Sequence, residues 1–122
     1  MKKTILFIED EGHLQKLVTQ ALEEQGFLVL NALDGQIGLE KAMMQRLDLI
    51  LLDLILPKKD GFEVLKKLKT QEQTKNIPVI ILTNLDGSDY VQKALNLGAT
   101  TYLIKANYKL EEIIEKIKRT II

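Results

Sequence analysis

The acidic residue with the clearest chemical meaning is Asp53, because it interrupts a strongly apolar segment. Residues 49–56 read Leu-Ile-Leu-Leu-Asp-Leu-Ile-Leu, so the aspartate is the only polar residue among them. A carboxylate in such a segment is unfavourable unless it is paired, bound to a metal ion or placed at the tip of a strand. A strand-end turn or a helix cap would also explain a lone aspartate, so Asp53 by itself does not define a site.

Other short apolar segments also end in polar side chains. Glu9, Asp10 and Glu11 follow the first such segment. Asp53 follows the third (residues 49–52), Thr83 closes the fourth, and Lys105 follows the fifth. In an open α/β sheet, ligands bind outside the carboxyl ends of the strands, so these side chains are predicted to meet at one rim. Carboxylates crowded at a rim repel one another unless a cation lies between them.

This set of residue types indicates a particular chemistry. Oxygen ligands without Cys or His favour a hard cation, and a few carboxylates with room for water suit Mg²⁺. Lys105 and the hydroxyl of Thr83 could bind the oxygens of a phosphoryl group. Asp53 could then act as the nucleophile, as carboxylates do in enzymes that form aspartyl phosphates.

The elements that must position these residues follow from the hydrophobic pattern. Five strand-length apolar segments cover residues 4–8, 27–30, 49–52, 79–82 and 101–104. Between them, apolar residues recur at helical spacing, with Asp34 and Asp60 as N-caps and Gly26 and Gly98 as stops. Consecutive rather than alternating apolar positions are typical of strands covered on both faces. The pattern predicts one α/β domain over residues 1–122, a doubly wound (βα)5 fold with a parallel sheet and helices on both faces.

Composition excludes several classes of function. The 122 residues contain 17 Lys and Arg against 17 Asp and Glu, so no net positive charge favours nucleic acid or an anionic membrane as a partner. There is no cysteine, and His13 is the only histidine, which excludes thiol catalysis and Cys- or His-cluster metal sites. No secretory or membrane-spanning segment is recognisable, so the cytoplasm is the expected compartment.

These residues together resemble the response-regulator receiver domains of two-component signalling over essentially the whole chain. The matching features are Glu9-Asp10, the segment from Asp53 to Gly61 (Asp-Leu-Ile-Leu-Pro-Lys-Lys-Asp-Gly), Thr83, Gly98-Ala99, and Tyr102 three residues before Lys105. The resemblance implies a flavodoxin-like sheet in strand order 2-1-3-4-5. It also suggests a stand-alone receiver similar to chemotaxis receivers, or a piece of a longer regulator.

The resemblance implies a role for each rim residue. Asp53 would accept a phosphoryl group from a phosphohistidine of a sensor histidine kinase or a phosphotransfer protein. Asp10, Asp53 and the backbone carbonyl of Ile55 would ligate Mg²⁺, with Glu9 holding it through water. Lys105 would neutralise charge during transfer. The chain would not be an enzyme beyond its own phosphorylation and slow autodephosphorylation.

The resemblance further implies a switch. Thr83 would move to bond the new phosphoryl oxygens, and Tyr102 would rotate inward. The surface formed by the fourth helix, the fifth strand and the fifth helix would change and be recognised by a downstream effector protein.

Four departures from the family pattern carry expectations of their own. Ala106 follows Lys105 where the family usually has a cis proline, and we expect the cis bond to be retained because the position of Lys105 depends on it. Asn84 replaces a small residue and would crowd the site or add a donor. Ile55 and Leu85 are apolar and predict a long-lived phosphoaspartate. Thr100-Thr101 stands where some dimerising receivers have an acidic pair, which disfavours that dimer.

Two other functions remain open at this point. A flavodoxin-like nucleotide binder or an aspartyl-phosphate phosphatase shares the topology, but no glycine-rich phosphate loop occurs and Ile55 stands where the phosphatase needs an acid. A pseudo-receiver that takes no phosphate is the main alternative, favoured by Ala106 and Asn84. His13 and the lysines near the third helix (Lys58, Lys59, Lys66, Lys67 and Lys69) are interpreted as solvated surface residues.

Overall fold

Five short apolar segments form one parallel sheet in the computed structural model, which describes residues 2–121. The strands are β1 (Thr4–Ile8), β2 (Leu28–Ala32), β3 (Leu49–Leu52), β4 (Val79–Thr83) and β5 (Thr101–Ile104). Their order across the sheet is β2-β1-β3-β4-β5, with every neighbouring pair parallel. The predicted doubly wound fold and its strand order are confirmed.

A helix follows each strand and crosses back over the sheet. The helices are α1 (Gly12–Glu24), α2 (Gly35–Met44), α3 (Gly61–Thr70), α4 (Ser88–Asn96) and α5 (Leu110–Ile121), with a short 3₁₀ turn at Lys105–Asn107. Core residues of α1 and α5 pack together on one face, and those of α2, α3 and α4 pack on the other. Within residues 2–121, no helix combines the length and apolar character needed to cross a bilayer.

Burial on both faces explains the continuous apolar strands. In β1, Ile5 and Phe7 join the core beneath α1 and α5, while Leu6 and Ile8 join the core on the opposite face. All four side chains are fully buried. Since alternate residues of a strand face opposite sides of the sheet, a strand with helices on both sides has no polar face to display.

Strand β2 extends further than the sequence indicates. The apolar segment 27–30 predicts its end at Leu30, but pairing with β1 continues through Asn31 and Ala32. Asn31 fits into the strand because its side-chain amide donates to the Thr19 hydroxyl at 3.0 Å. A polar residue with a satisfied side chain is compatible with an edge strand, so hydrophobicity alone marked the boundary too early.

The expected helix caps are present, and they fix where the loops beside the sheet end. Asp34 accepts a hydrogen bond from the amide of Ile37 at 2.8 Å, and Asp60 accepts one from the amide of Phe62 at 3.0 Å. Glu11 caps α1 through the amides of His13 and Leu14. Each cap satisfies an amide that has no partner within its helix.

The peptide bond between Lys105 and Ala106 is trans, so the expectation of a cis bond is wrong; none of the peptide bonds among residues 2–121 is cis. Without proline, a cis bond is disfavoured by about 3–4 kcal/mol. The chain instead enters the 3₁₀ turn at Lys105–Asn107, and the Lys105 side chain still reaches the rim of the sheet.

The loop between β3 and α3 folds back closely onto the end of β3. The Gly61 amide donates to the Leu54 carbonyl at 3.1 Å. A Cβ atom on Gly61 would overlap the backbone of Leu54 and lie 2.7 Å from the Asp53 carbonyl oxygen. Since backbone atoms cannot rotate away, only glycine fits here without displacing the segment that carries Asp53.

We therefore predict that Gly61→Ala lowers the free energy of unfolding by about 1–3 kcal/mol, because the added methyl group overpacks against backbone. Gly12→Ala is the matched control, since a Cβ at this first residue of α1 meets nothing within 4 Å. The control should leave stability unchanged or raise it by up to about 1 kcal/mol. Urea unfolding of both variants measures the difference, and equal stabilities would contradict the steric account.

Candidate functional site

Glu9, Asp10, Asp53 and Lys105 meet at one edge of the sheet, as their positions in the sequence predict. An open cleft of about 500 Å³ lies at this edge. Its lining includes Glu9, Asp10, Asp53, Ile55, Asn84 and Lys105. Thr83, the remaining polar residue at a strand end, is buried and does not line the cleft at this edge. Residues separated by about a hundred positions in the chain thus share one cavity, because parallel strands bring their carboxyl ends to the same side.

A single ammonium group holds two of the carboxylates. Lys105 Nζ lies 2.8 Å from Glu9 Oε1 and 2.9 Å from Asp53 Oδ2. Glu9 is 0% exposed and Asp53 4% exposed, so both charges are nearly removed from water. Burial acts to lower the pKa of Lys105, but the hydrogen bonds and charges of the two carboxylates raise it above its usual value. Lys105 therefore stays cationic at neutral pH.

Glu9 is a carboxylate of this group whose ionisation is opposed by burial. Burial raises its pKa to about 7, and the charge of Asp53 adds to the rise, although Lys105 and the Glu11 amide oppose it. Its Oε2 atom accepts a hydrogen bond from the Glu11 amide at 3.0 Å. Its Oε1 atom is buried and faces the Lys105 ammonium at 2.8 Å, with no other donor of residues 2–121 in contact. Because Glu9 shares this one ammonium with Asp53, a second positive charge nearby would be favourable.

The acidic residues have the arrangement of a divalent-cation site. Glu9, Asp10 and Asp53 each offer a carboxylate oxygen, and these oxygens lie within 4.8 Å of one another. Asp10 is exposed at the cleft. Asp53 Oδ1 accepts a hydrogen bond from the Ile55 amide at 3.1 Å, which fixes the direction of its carboxylate. An all-oxygen set with open space beside it fits a hard cation such as Mg²⁺.

Thr83 and Tyr102, the two residues expected to form a switch, are joined through one backbone segment. The Thr83 hydroxyl is buried and accepts a hydrogen bond from the Leu85 amide at 3.3 Å. The Tyr102 hydroxyl donates to the Leu85 carbonyl at 2.7 Å. Burial raises the pKa of Tyr102, and the charges of Asp53 and Asp86 raise it further, so its hydroxyl remains a donor.

Sequence reasoning missed two connecting residues. The side chain of Leu85 packs against the core of the α3 face. The connection between Thr83 and Tyr102 is made by the backbone of Leu85 instead. Gln15 on α1 donates from its side-chain amide to the carbonyls of Glu9 at 2.9 Å and Ala32 at 3.3 Å. Residue types could not predict these contacts, because one partner in each hydrogen bond is a backbone amide or carbonyl.

The remaining residues singled out in the sequence lie as follows. Asn84 is exposed and lines the cleft, and α4 begins only at Ser88, so Asn84 is a rim residue rather than the start of the helix. His13 is exposed on α1, as expected. Of the lysines near α3, Lys59 and Lys69 differ from the expectation of a solvated side chain: both are half-buried, and Lys69 donates to the Ile77 carbonyl at 2.6 Å.

Comparison with known proteins agrees with the fold. Residues 5–118 match the family described as the response regulator receiver domain. The transcriptional regulatory protein HprR of Escherichia coli K12 is 39% identical over 114 residues, which are 93% of this chain and 49% of that protein. The chain spans about half the length of the curated relatives it matches.

Two solved structures give the same result. The Vibrio cholerae chemotaxis protein CheY4 superposes with a TM-score of 0.90 at 29% identity, covering 98% of this chain and 99% of that one. The receiver domain of the sensor histidine kinase PA1611 from Pseudomonas aeruginosa PAO1, solved with magnesium in its active-site cleft, gives 0.88 at 30% identity over 99% and 98%. The chain belongs to the response-regulator receiver domain family.

Proposed function

We propose that the chain is a phosphoacceptor that takes a phosphoryl group on Asp53 from a phosphohistidine of a sensor histidine kinase or a phosphotransfer protein. A carboxylate oxygen of Asp53 would bond to phosphorus as the phosphorus–nitrogen bond breaks, leaving the electron pair on the imidazole. The observation that carries this proposal is the Lys105 ammonium, held against both Glu9 and Asp53 inside an open acidic cleft.

The acidic group would hold Mg²⁺ for this reaction. Asp10 and Asp53 are the proposed ligands together with the Ile55 carbonyl, and Glu9 would act through water. When bound, Mg²⁺ neutralises the carboxylates and the phosphoryl oxygens. The three carboxylate oxygens that lie within 4.8 Å of one another support this assignment.

Lys105 and Thr83 are the proposed partners of the phosphoryl oxygens. Lys105 remains protonated at neutral pH, because its two carboxylate partners raise its pKa. It can therefore exchange its contact with Asp53 Oδ2 for one with a phosphoryl oxygen. The Thr83 hydroxyl accepts from the Leu85 amide, so its own proton is available for donation to another oxygen.

The switch would pass through Leu85 to the surface of α4, β5 and α5. If Thr83 turns towards a phosphoryl oxygen, the Leu85 amide loses its acceptor, and the carbonyl that holds Tyr102 moves with the same residue. Helix α4 is suited to respond, because Ala94 is its only buried residue and its N-cap, Gly87, offers no side-chain hydrogen bond. A downstream effector would recognise the changed surface.

Phosphorylation of Asp53 is tested directly by intact mass. With Mg²⁺ and acetyl phosphate, the wild-type chain should gain a single phosphoryl group, and Asp53→Ala should gain none, because it lacks the nucleophile. Asp89→Asn is the matched control, since Asp89 is exposed on α4, and it should be modified like the wild type. Absence of an adduct with acetyl phosphate and with a phosphorylated histidine donor would leave the pseudo-receiver as the correct function.

The raised pKa of Glu9 predicts a pH-dependent stability in chelator. A folded pKa of about 7, above the ordinary 4.5, means that protonated Glu9 favours folding. This contribution is present below pH ~4.5 and is lost as the pH rises through ~7, with a slope of at most ~1.4 kcal/mol per pH unit. Glu9→Gln, which cannot titrate, should lack it.

Urea unfolding of the wild type and Glu9→Gln between pH ~5 and ~8 measures this difference. The stability of the wild type relative to the variant should fall as the pH rises, and Mg²⁺ should restore it at the upper end by neutralising the carboxylates. Parallel curves for the two proteins in chelator would show that Glu9 does not carry the raised pKa.

The apolar side chain at the mouth of the cleft predicts a long-lived phosphoaspartate. Ile55 is 54% exposed there and offers no group that could activate water. We expect phospho-Asp53 to outlast several minutes, and Ile55→Asp to shorten its lifetime about tenfold or more by supplying a general base. Leu28→Asp, at the opposite end of the sheet, is the control. Mass spectrometry after removal of the donor follows the decay, and loss within minutes in the wild type would refute the expectation.

A further inference from the structure

Helix α2 exposes three large apolar side chains and buries only small residues completely. Its buried residues are Gly35, Gly38 and Ala42. Gly38 allows the helix to approach the sheet, since a Cβ there would come within 2.6 Å of the Ile8 side chain. Met44 is 81% exposed, and Ile37 and Met43 are also exposed. A helix that is apolar towards solvent indicates a surface that is covered by a partner.

A groove runs beside these residues, between α2 and α3. Its volume is about 410 Å³. Leu39, Met43 and Met44 line it from α2, and Lys67 and Gln71 line it from the opposite side. Methionine side chains are unbranched and adaptable, and they commonly line grooves that accept an apolar helix.

The charges beside the groove are mainly positive. Lys59 and Lys67 line the groove, and neither forms an ion pair with another residue of the 2–121 region. The acidic residue of the groove, Glu40, already accepts a hydrogen bond from Gln36 at 3.0 Å. Two lysines against one glutamate leave the groove lining with a local excess of positive charge next to an apolar surface.

We propose that the α2–α3 groove binds an amphipathic helix of another protein that carries acidic residues beside its apolar stripe. The apolar stripe would cover Met43 and Met44, and the acidic residues would face Lys59 and Lys67. Binding of a helix in a groove between two helices buries apolar area, while charge complementarity fixes its orientation and selects the partner.

Two other occupants fit the charges less well. A second copy of this chain related by a two-fold axis would place the lysines of one groove near those of the other, which is repulsive. An anionic membrane presents a broad surface, which would also meet the exposed Glu63; this residue lies outside the groove lining, so a single helix in the groove avoids it.

The test is a selection from a displayed library of helices about 18 residues long, with a fixed apolar stripe and flanking positions randomised among Glu, Lys and Gln. Helices rich in Glu should be enriched on the wild-type chain and should bind Met44→Gln at least about tenfold more weakly. Lys67→Glu should reverse the preference towards helices rich in Lys. Leu17→Gln, an exposed apolar position on α1, is the matched control and should bind like the wild type.

Each alternative outcome is distinguishable. No enrichment, enrichment without charge preference, or equal binding to wild type and Met44→Gln would overturn the proposal. So would a dimer in sedimentation that Met44→Gln dissociates, or binding to phosphatidylglycerol vesicles that the same variant abolishes. Asp53 phosphorylation measured on Met44→Gln and Lys67→Glu should equal that of the wild type, so failure of this surface is separable from failure of the phosphoacceptor function.

Discussion

The contact between Lys105, Glu9 and Asp53 constrains the rest of the structure, because two carboxylates and one ammonium are brought out of water together. Removing Lys105 would leave two buried carboxylates without a counter-charge, which is strongly destabilising. The set also has an excess of negative charge. One further positive charge would therefore stabilise this group of residues. This is a property of a binding site rather than of a packed core.

The rigid part of the fold is what makes this arrangement possible. The acidic residues stand directly beyond strands that are buried on both faces, so their backbone positions are set by two separate cores. Gly61 brings the loop after β3 against the strand end that carries Asp53, and Gln15 ties the ends of β1 and β2 to α1. Lys105 reaches the same point from a 3₁₀ turn with a trans peptide, which shows that its side chain is long enough not to require the cis bond.

Much of this could be predicted from the sequence, because the signals were carried by residue type and spacing. Consecutive apolar positions marked β1 and β3 with their observed bounds, and the polar residues that follow the strands marked the rim. The end of β2 was missed because Asn31 is held by one side-chain hydrogen bond, which has no signature in hydrophobicity. The peptide geometry at Ala106 and the half-buried state of Lys69 depend on tertiary contacts, and no local pattern encodes them.

The connection between Thr83 and Tyr102 has a consequence for how the sequence can vary. Both hydrogen bonds use the main chain of residue 85, its amide on one side and its carbonyl on the other. Any amino acid with a backbone N–H can therefore carry the connection, and only proline would remove the donor. The side chain at this position packs against the core of the α3 face, so packing restricts its type. Packing and the link between Thr83 and Tyr102 thus depend on separate atoms of the same residue, and an apolar substitution can alter the first without loss of the second.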